Sequence, residues 1–135
     1  MLLDSEYDEY VEYIKQKFDE IIGDVKVISV GKGYKRYGSF KICFMIERIQ
    51  YLIEFENEYD RFSIRIIDAD SASVPLPRLC DYNASLSYTN IENAVKELSQ
   101  VILMSDIPFV KTENGKTYIK RNGLYKRVKD ISKLK

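Results

Sequence analysis

The chain contains no histidine, the side chain that most often shuttles protons and binds metals near neutral pH. General acid–base work would fall to carboxylates. Glu54 and Glu56 lie two positions apart, and Glu47 falls on the same strand face across the turn region. On a strand, residues two apart share a face, so Glu54 and Glu56 are neighbours there. A catalytic carboxylate pair needs surroundings that separate its two pKa values, and nothing around these positions supplies that. They read as a solvated face of a sheet. Asp68 and Asp70 offer oxygen ligands of the kind calcium takes, without a further spaced set to complete a shell. Cys43 and Cys80 are 37 positions apart and show no zinc-ligand spacing. Cys43 reads as a small packing residue within a strand. Gly31-x-Gly33 resembles a fragment of a phosphate-binding loop, but no third glycine and no helix follow it. It reads as a hairpin connection across residues 31–39, with lysines at its tip. No catalytic residues, metal or cofactor are therefore expected.

Binding chemistry is better represented. There are 11 tyrosines and no tryptophan. Tyrosine gives rigid contact area and a hydroxyl at low entropic cost, which suits interfaces. Tyr7, Tyr10 and Tyr13 lie on or near one side of a first helix. Tyr34, Tyr37, Tyr59, Tyr82 and Tyr88 fall in expected connections. Charge is also unevenly placed, although the formal net charge is zero. Residues 1–24 carry eight acids against two lysines, and residues 111–135 carry nine bases against two acids. Either the acidic head lies against the basic tail, or each meets a partner of opposite sign.

The elements that must position these residues start with Phe40–Ile67. Phe40, Ile42, Phe44 and Ile46, then Tyr51, Ile53 and Phe55, then Phe62, Ile64 and Ile66 alternate at period two. This predicts three half-buried antiparallel strands. A turn at Arg48-Ile49 sets Ile46 against Tyr51, Phe44 against Ile53 and Ile42 against Phe55. A four-residue loop at 57–60 sets Phe55 against Phe62 and Ile53 against Ile64. Cys43 and Met45 point to the second face, so a helix is expected to cover part of it.

Ahead of the meander, residues 4–22 read as a helix capped by Asp4 or Ser5 and ended by Gly23 in a left-handed conformation. Its apolar stripe includes Tyr7, Val11, Ile14 and Phe18, and Glu6, Glu9 and Glu12 lie on the opposite face. Val25–Val30 reads as a strand. Residues 68–88 form the longest irregular stretch, pinned by Leu76, Leu79 and Tyr82, with an extended Val74-Pro75-Leu76-Pro77. A second helix starts at Thr89 or Asn90, with Thr89 and Glu92 as a capping box, and runs to about Ser105 or Asp106.

Asn114-Gly115 and Asn122-Gly123 are hairpin signals. They predict strands near 109–113, 116–121 and 124–129. Val110, Ile119, Leu124 and Val128 share the face expected to dock on the body. Lys116, Tyr118, Lys120, Tyr125, Arg127 and Lys129 share the face expected to point away. The final residues, ISKLK, are expected to fray.

Together these elements predict one α+β domain over 1–135: an N-terminal helix, an antiparallel meander, a second helix and a C-terminal three-stranded meander. No run approaches the ~20 apolar residues that span a bilayer, so no membrane association is expected. The start, MLLDSEYDEY, is acidic and lacks the apolar segment of a signal peptide. Two cysteines are too few for a disulfide framework, so a reducing, cytoplasmic setting is expected.

The acidic helix EYDEYVEYIKQKFDEI, the meander KICFMIERIQYLIEFE and the tail segments ENGK and KRNGLYKRV resemble the small α+β immunity proteins of bacterial polymorphic-toxin systems. The resemblance covers the whole chain. It implies a protein that binds one cognate toxin domain and blocks it, without catalytic residues of its own. Expected partner-binding residues are Glu6, Glu9, Glu12 and Tyr13 on the first helix, with Tyr118, Tyr125 and Arg127 on the tail. An alternative is a nucleic-acid-binding module, in which Lys116, Tyr118, Lys120, Tyr125, Arg127 and Lys129 would contact phosphates and stack on bases. For a third reading, a small enzyme working through carboxylates, the sequence supplies no coherent site.

Overall fold

In a computed structural model, which describes residues 2–34 and 38–129, the chain is α+β. Eight antiparallel strands pair in sequence order: β1 Val25–Gly33, β2 Ser39–Ile46, β3 Tyr51–Glu58, β4 Arg61–Ile67, β5 Ser73–Pro75, β6 Val110–Glu113, β7 Lys116–Arg121 and β8 Leu124–Val128. Helix α1 spans Asp4–Lys17 and precedes the sheet, while α2 spans Tyr88–Val101 and fills the connection from β5 to β6. No described helix is long and apolar enough to cross a membrane.

The expected alternation builds the core. Phe40, Ile42, Phe44, Ile46, Ile53, Phe55, Ile64 and Ile66 are buried on one sheet face. Tyr7, Val11, Ile14 and Phe18 from α1 and its continuation, and Ile91, Ala94, Val95 and Leu98 from α2, pack into the same cluster. Phe18 stacks on Phe44 with ring centroids 3.9 Å apart. Both helices thus cover the same face, and no described helix covers Cys43 and Met45, where one was expected. Those two side chains are half-buried among sheet neighbours instead.

The β2–β3 register is the expected one: Ile46 faces Tyr51, Phe44 faces Ile53 and Ile42 faces Phe55. The β3–β4 register differs by two residues. Asn57 faces Phe62 and Phe55 faces Ile64, across a tight turn at Tyr59-Asp60. A shift of two keeps every side chain on its face, so the core prediction survives the error. The tight turn is held by Asn57, a fully buried polar residue whose amide donates to the Tyr59 carbonyl at 2.7 Å and the Gly38 carbonyl at 3.0 Å.

Several boundaries move. The α1 cap is Leu3, whose N–H is accepted by the Glu6 carboxylate at 3.2 Å, so Asp4 and Ser5 lie inside the helix. After Lys17 the helix widens into one π turn, Phe18–Ile22, closed by the Gly23 N–H on the Phe18 carbonyl. Gly23 has the expected positive φ of 73°, but its ψ of 162° is extended rather than left-handed helical. β1 continues through Gly31 and Gly33, so the hairpin begins only at Tyr34. Its tip at 35–37, Tyr37 included, and the tail after 129 lie outside the described residues. The 68–88 stretch is not wholly irregular: it supplies β5 and a 3-10 turn, Leu76–Arg78, which departs from the extended form expected at Leu76-Pro77. Leu76 is fully buried there, and Leu79 and Tyr82 pack against the core as expected. Ser87 caps α2, accepting the Asn90 N–H at 3.1 Å, in place of Thr89 with Glu92. That helix ends at Val101, short of Ser105.

The tail strands form as expected and extend the sheet, but their faces are reversed. Ser73 pairs with Val110, and Ile67 pairs with Ser73, so Val110 lies on the face away from the helices. Ile119 is opposite Val110 and shares that outer face. One row across the outer face reads Met45, Leu52, Ile67, Ser73, Val110, Ile119, Lys126. Leu124, expected to dock, is 67% exposed. Lys111, Lys120 and Tyr125 lie on the helix side instead. Long amphipathic side chains can cover apolar surface as well as shorter apolar ones, so alternation of Lys and Tyr against Val and Thr does not fix the inward face.

Candidate partner-binding surface

The two groups of residues singled out by the sequence lie in different surroundings. Among the described residues no ion pair joins residues 1–24 to residues 111–129.

In the tail, Tyr125 is an internal anchor. Its hydroxyl donates to Asp68 Oδ2, and the Lys120 ammonium stands 3.6 Å from the same oxygen. Lys111 Nζ lies 4.1 Å from the Tyr125 ring centroid. Asp68 is buried, and its Oδ1 accepts the backbone N–H groups of Asp70 and Ala72, both at 2.9 Å. Its oxygens are therefore served by donors from the chain itself. Burial, then the Asp68 carboxylate, push the Tyr125 hydroxyl well above the ordinary tyrosine range. Tyr118 is half-buried opposite the exposed Arg127. No described group of three or more Cys, Asp and Glu side chains is arranged to hold a metal.

The α1 surface is organised differently. Glu6, Glu9 and Glu12 are exposed, and Tyr13 is half-buried beside α2. Tyr88, from the first turn of α2, inserts between two tyrosines of α1. Its ring stacks on Tyr10 at 4.6 Å and meets Tyr13 edge-on at 4.7 Å. The Tyr13 hydroxyl donates to Glu92 Oε2 at 3.4 Å, and Lys17 Nζ lies 5.3 Å from the Tyr13 ring centroid. Beside these rings lies an open depression of ≈ 460 Å³ lined by Asp8, Glu9, Glu12, Tyr13, Gln16 and Tyr88. Tyr88 remains 42% exposed at its wall.

Burial, followed by nearby carboxylates, raises the pKa values of Tyr88, Tyr10 and Tyr13; for Tyr10 the neighbouring Tyr88 comes between the two. On Tyr13 the Lys17 ammonium partly opposes this. Glu92 is held below the usual carboxylate range, first by its hydrogen bond with Lys96 and then by Lys17. A raised folded pKa means the fold favours the neutral phenol, so this contribution is intact below the unfolded value of 10.0 and is lost as pH rises through the folded values. Thermal stability should fall with rising pH only beyond about 10, in step with tyrosinate absorbance. Tyrosines that ionise at 10.0 with no loss of stability would contradict the packing described.

Of the residues singled out on the first helix, Glu9, Glu12 and Tyr13 line the depression together, while Glu6 lies nearer the helix start. Tyr10, Tyr88 and Glu92 complete the surface and were not singled out for it by sequence. The available signal was Ser87 three positions before Asn90, which caps the helix there and makes Tyr88 its first residue. No family model, no curated protein and no solved structure matches the chain.

Proposed function

We propose that the chain is a non-catalytic inhibitor that neutralises a cognate bacterial toxin domain by direct binding, as the resemblance to immunity proteins implies. The observation that carries this reading is the tyrosine cluster of Tyr10, Tyr13 and Tyr88, rimmed by exposed Glu6, Glu9 and Glu12. Half-exposed aromatics give an anchor that excludes water, and carboxylates around them steer a basic partner. The partner is then a protein with a positively charged face, such as the cleft of a nuclease toxin.

Glu6→Lys, Glu9→Lys and Glu12→Lys combined should slow association with that domain by roughly 10- to 1,000-fold at low salt. The circular dichroism spectrum should change little, while the unfolding midpoint should fall modestly, because Glu6 accepts the Leu3 N–H at the start of α1. The test is stopped-flow association with the toxin domain encoded beside the gene, at several salt concentrations. Binding that is equally fast after charge reversal would remove the acidic face from the interface, and no binding by the unmodified protein would end the reading.

The nucleic-acid alternative is favoured by one observation: Lys116, Arg121, Lys126, Arg127 and Lys129 are all exposed on the last hairpin. It is weakened by Tyr125, whose ring lies beneath Lys111 and whose hydroxyl is given to Asp68. A gel shift near 50 mM salt that shows no salt-dependent complex would dismiss it.

A further inference from the structure

Within that reading, the groove between α1 and α2 is more specific than its net charge. Its depression is lined by three carboxylates, two tyrosines and Gln16, with no basic side chain. Two of those carboxylates already hold a lysine at the rim: Asp8 with Lys32 at 2.9 Å, and Glu12 with Lys15 at 3.1 Å. Glu9 has no cation beside it among the described residues. Lys17, placed above the Tyr13 ring and held by Glu20 and Glu92, shows the same chemistry within the chain: a cation set jointly on a ring and on carboxylates.

We infer that this groove receives one arginine side chain of a basic partner protein, its guanidinium set against Tyr88 and Tyr13 and bonded to Glu9. Charge complementarity selects a cation. The flat aromatic wall selects arginine over lysine, because a guanidinium stacks on a ring while presenting a planar fork of donors to a carboxylate. The inference rests on the protein-binding reading, but its test does not require the partner.

The probes are N-acetyl-arginine amide, its lysine counterpart and its uncharged isostere N-acetyl-citrulline amide, titrated into the full chain and followed by NMR. Arginine should shift the ring resonances of Tyr13 and Tyr88 at millimolar concentration. The lysine probe should shift them less, and citrulline least. Glu9→Gln should abolish the difference between arginine and citrulline, and Tyr88→Leu should abolish the difference between arginine and lysine. Retained amide spectra in both variants would show that the fold is intact. Equal shifts from arginine and citrulline, or arginine shifts spread evenly over all surface acids, would overturn the inference. If the toxin domain binds while the arginine probe does not, the groove assignment alone falls. If the probe binds the groove and no toxin domain does, the inhibitor reading falls and the groove remains a cation site.

Discussion

Gly38→Ala should destabilise the fold by roughly 2–5 kcal/mol, combining a left-handed backbone with a steric collision. Gly38 has φ +59°, a conformation an L side chain resists. A methyl group there would also run into the Tyr7 hydroxyl and Cζ and approach Cε1 to 2.9 Å. Tyr7 has nowhere to go. It is fully buried, stacked on Tyr34 at 5.5 Å, and its hydroxyl donates to Asp60 Oδ1 at 3.2 Å. Gly38 also offers its carbonyl to Asn57, so a shift of its backbone would disturb the β3–β4 turn as well. Gly115→Ala provides the control. That glycine has φ +75° with nothing within 4 Å, so it should lose only the conformational part, about 1 kcal/mol. Chemical denaturation of both variants checks the pair. Equal losses would mean that Tyr7 is not packed as described.

The second large effect reverses an expectation drawn from sequence. Tyr125→Ala should cost roughly 2–4 kcal/mol, from lost burial and from a buried carboxylate left short of a donor. Ile119→Ala, on the half-buried outer face, should cost about 1 kcal/mol or less. Tyr125→Phe separates the two contributions. The ring stays, while among the described residues Asp68 Oδ2 keeps Lys120 at 3.6 Å. Removing that hydroxyl alone should account for about 1–3 kcal/mol. Urea unfolding midpoints rank the three. If Ile119→Ala proves the more damaging of the two alanine variants, the tail strands face the other way.

These two sites show what pattern alone reveals. The faces of β2, β3 and β4 are legible because large apolar residues hold every second position on one face, while the other face includes Lys41, Glu54, Glu56, Arg61 and Arg65, and burying that set would be costly. The turn at Tyr59-Asp60 is not legible. Tyr59 adopts φ +57°, which sequence gives no reason to expect of a tyrosine, and the period of two is blind to a slip of two. In the tail, both strand faces carry long or β-branched residues. The deciding factor is Asp68, remote in sequence and needing donors, which draws Tyr125 and Lys120 inward. The acidic helix face was visible from composition and spacing. Its aromatic half was not, because Tyr88 reaches it from 75 positions beyond Tyr13 through the packing of α2.

The sheet is continuous, yet between β5 and β6 it is joined at the single paired position Ser73–Val110. Elsewhere neighbouring strands share three to eight paired positions. A ladder that narrows to one rung divides the molecule into unequal cooperative units. The last three strands are held by Asp68 and by Phe109, which packs on Tyr51, rather than by backbone pairing. The last three strands are therefore expected to open as a flap at a lower free energy than the body, with native-state hydrogen exchange showing their amides released by a sub-global route before those of β2 and β3.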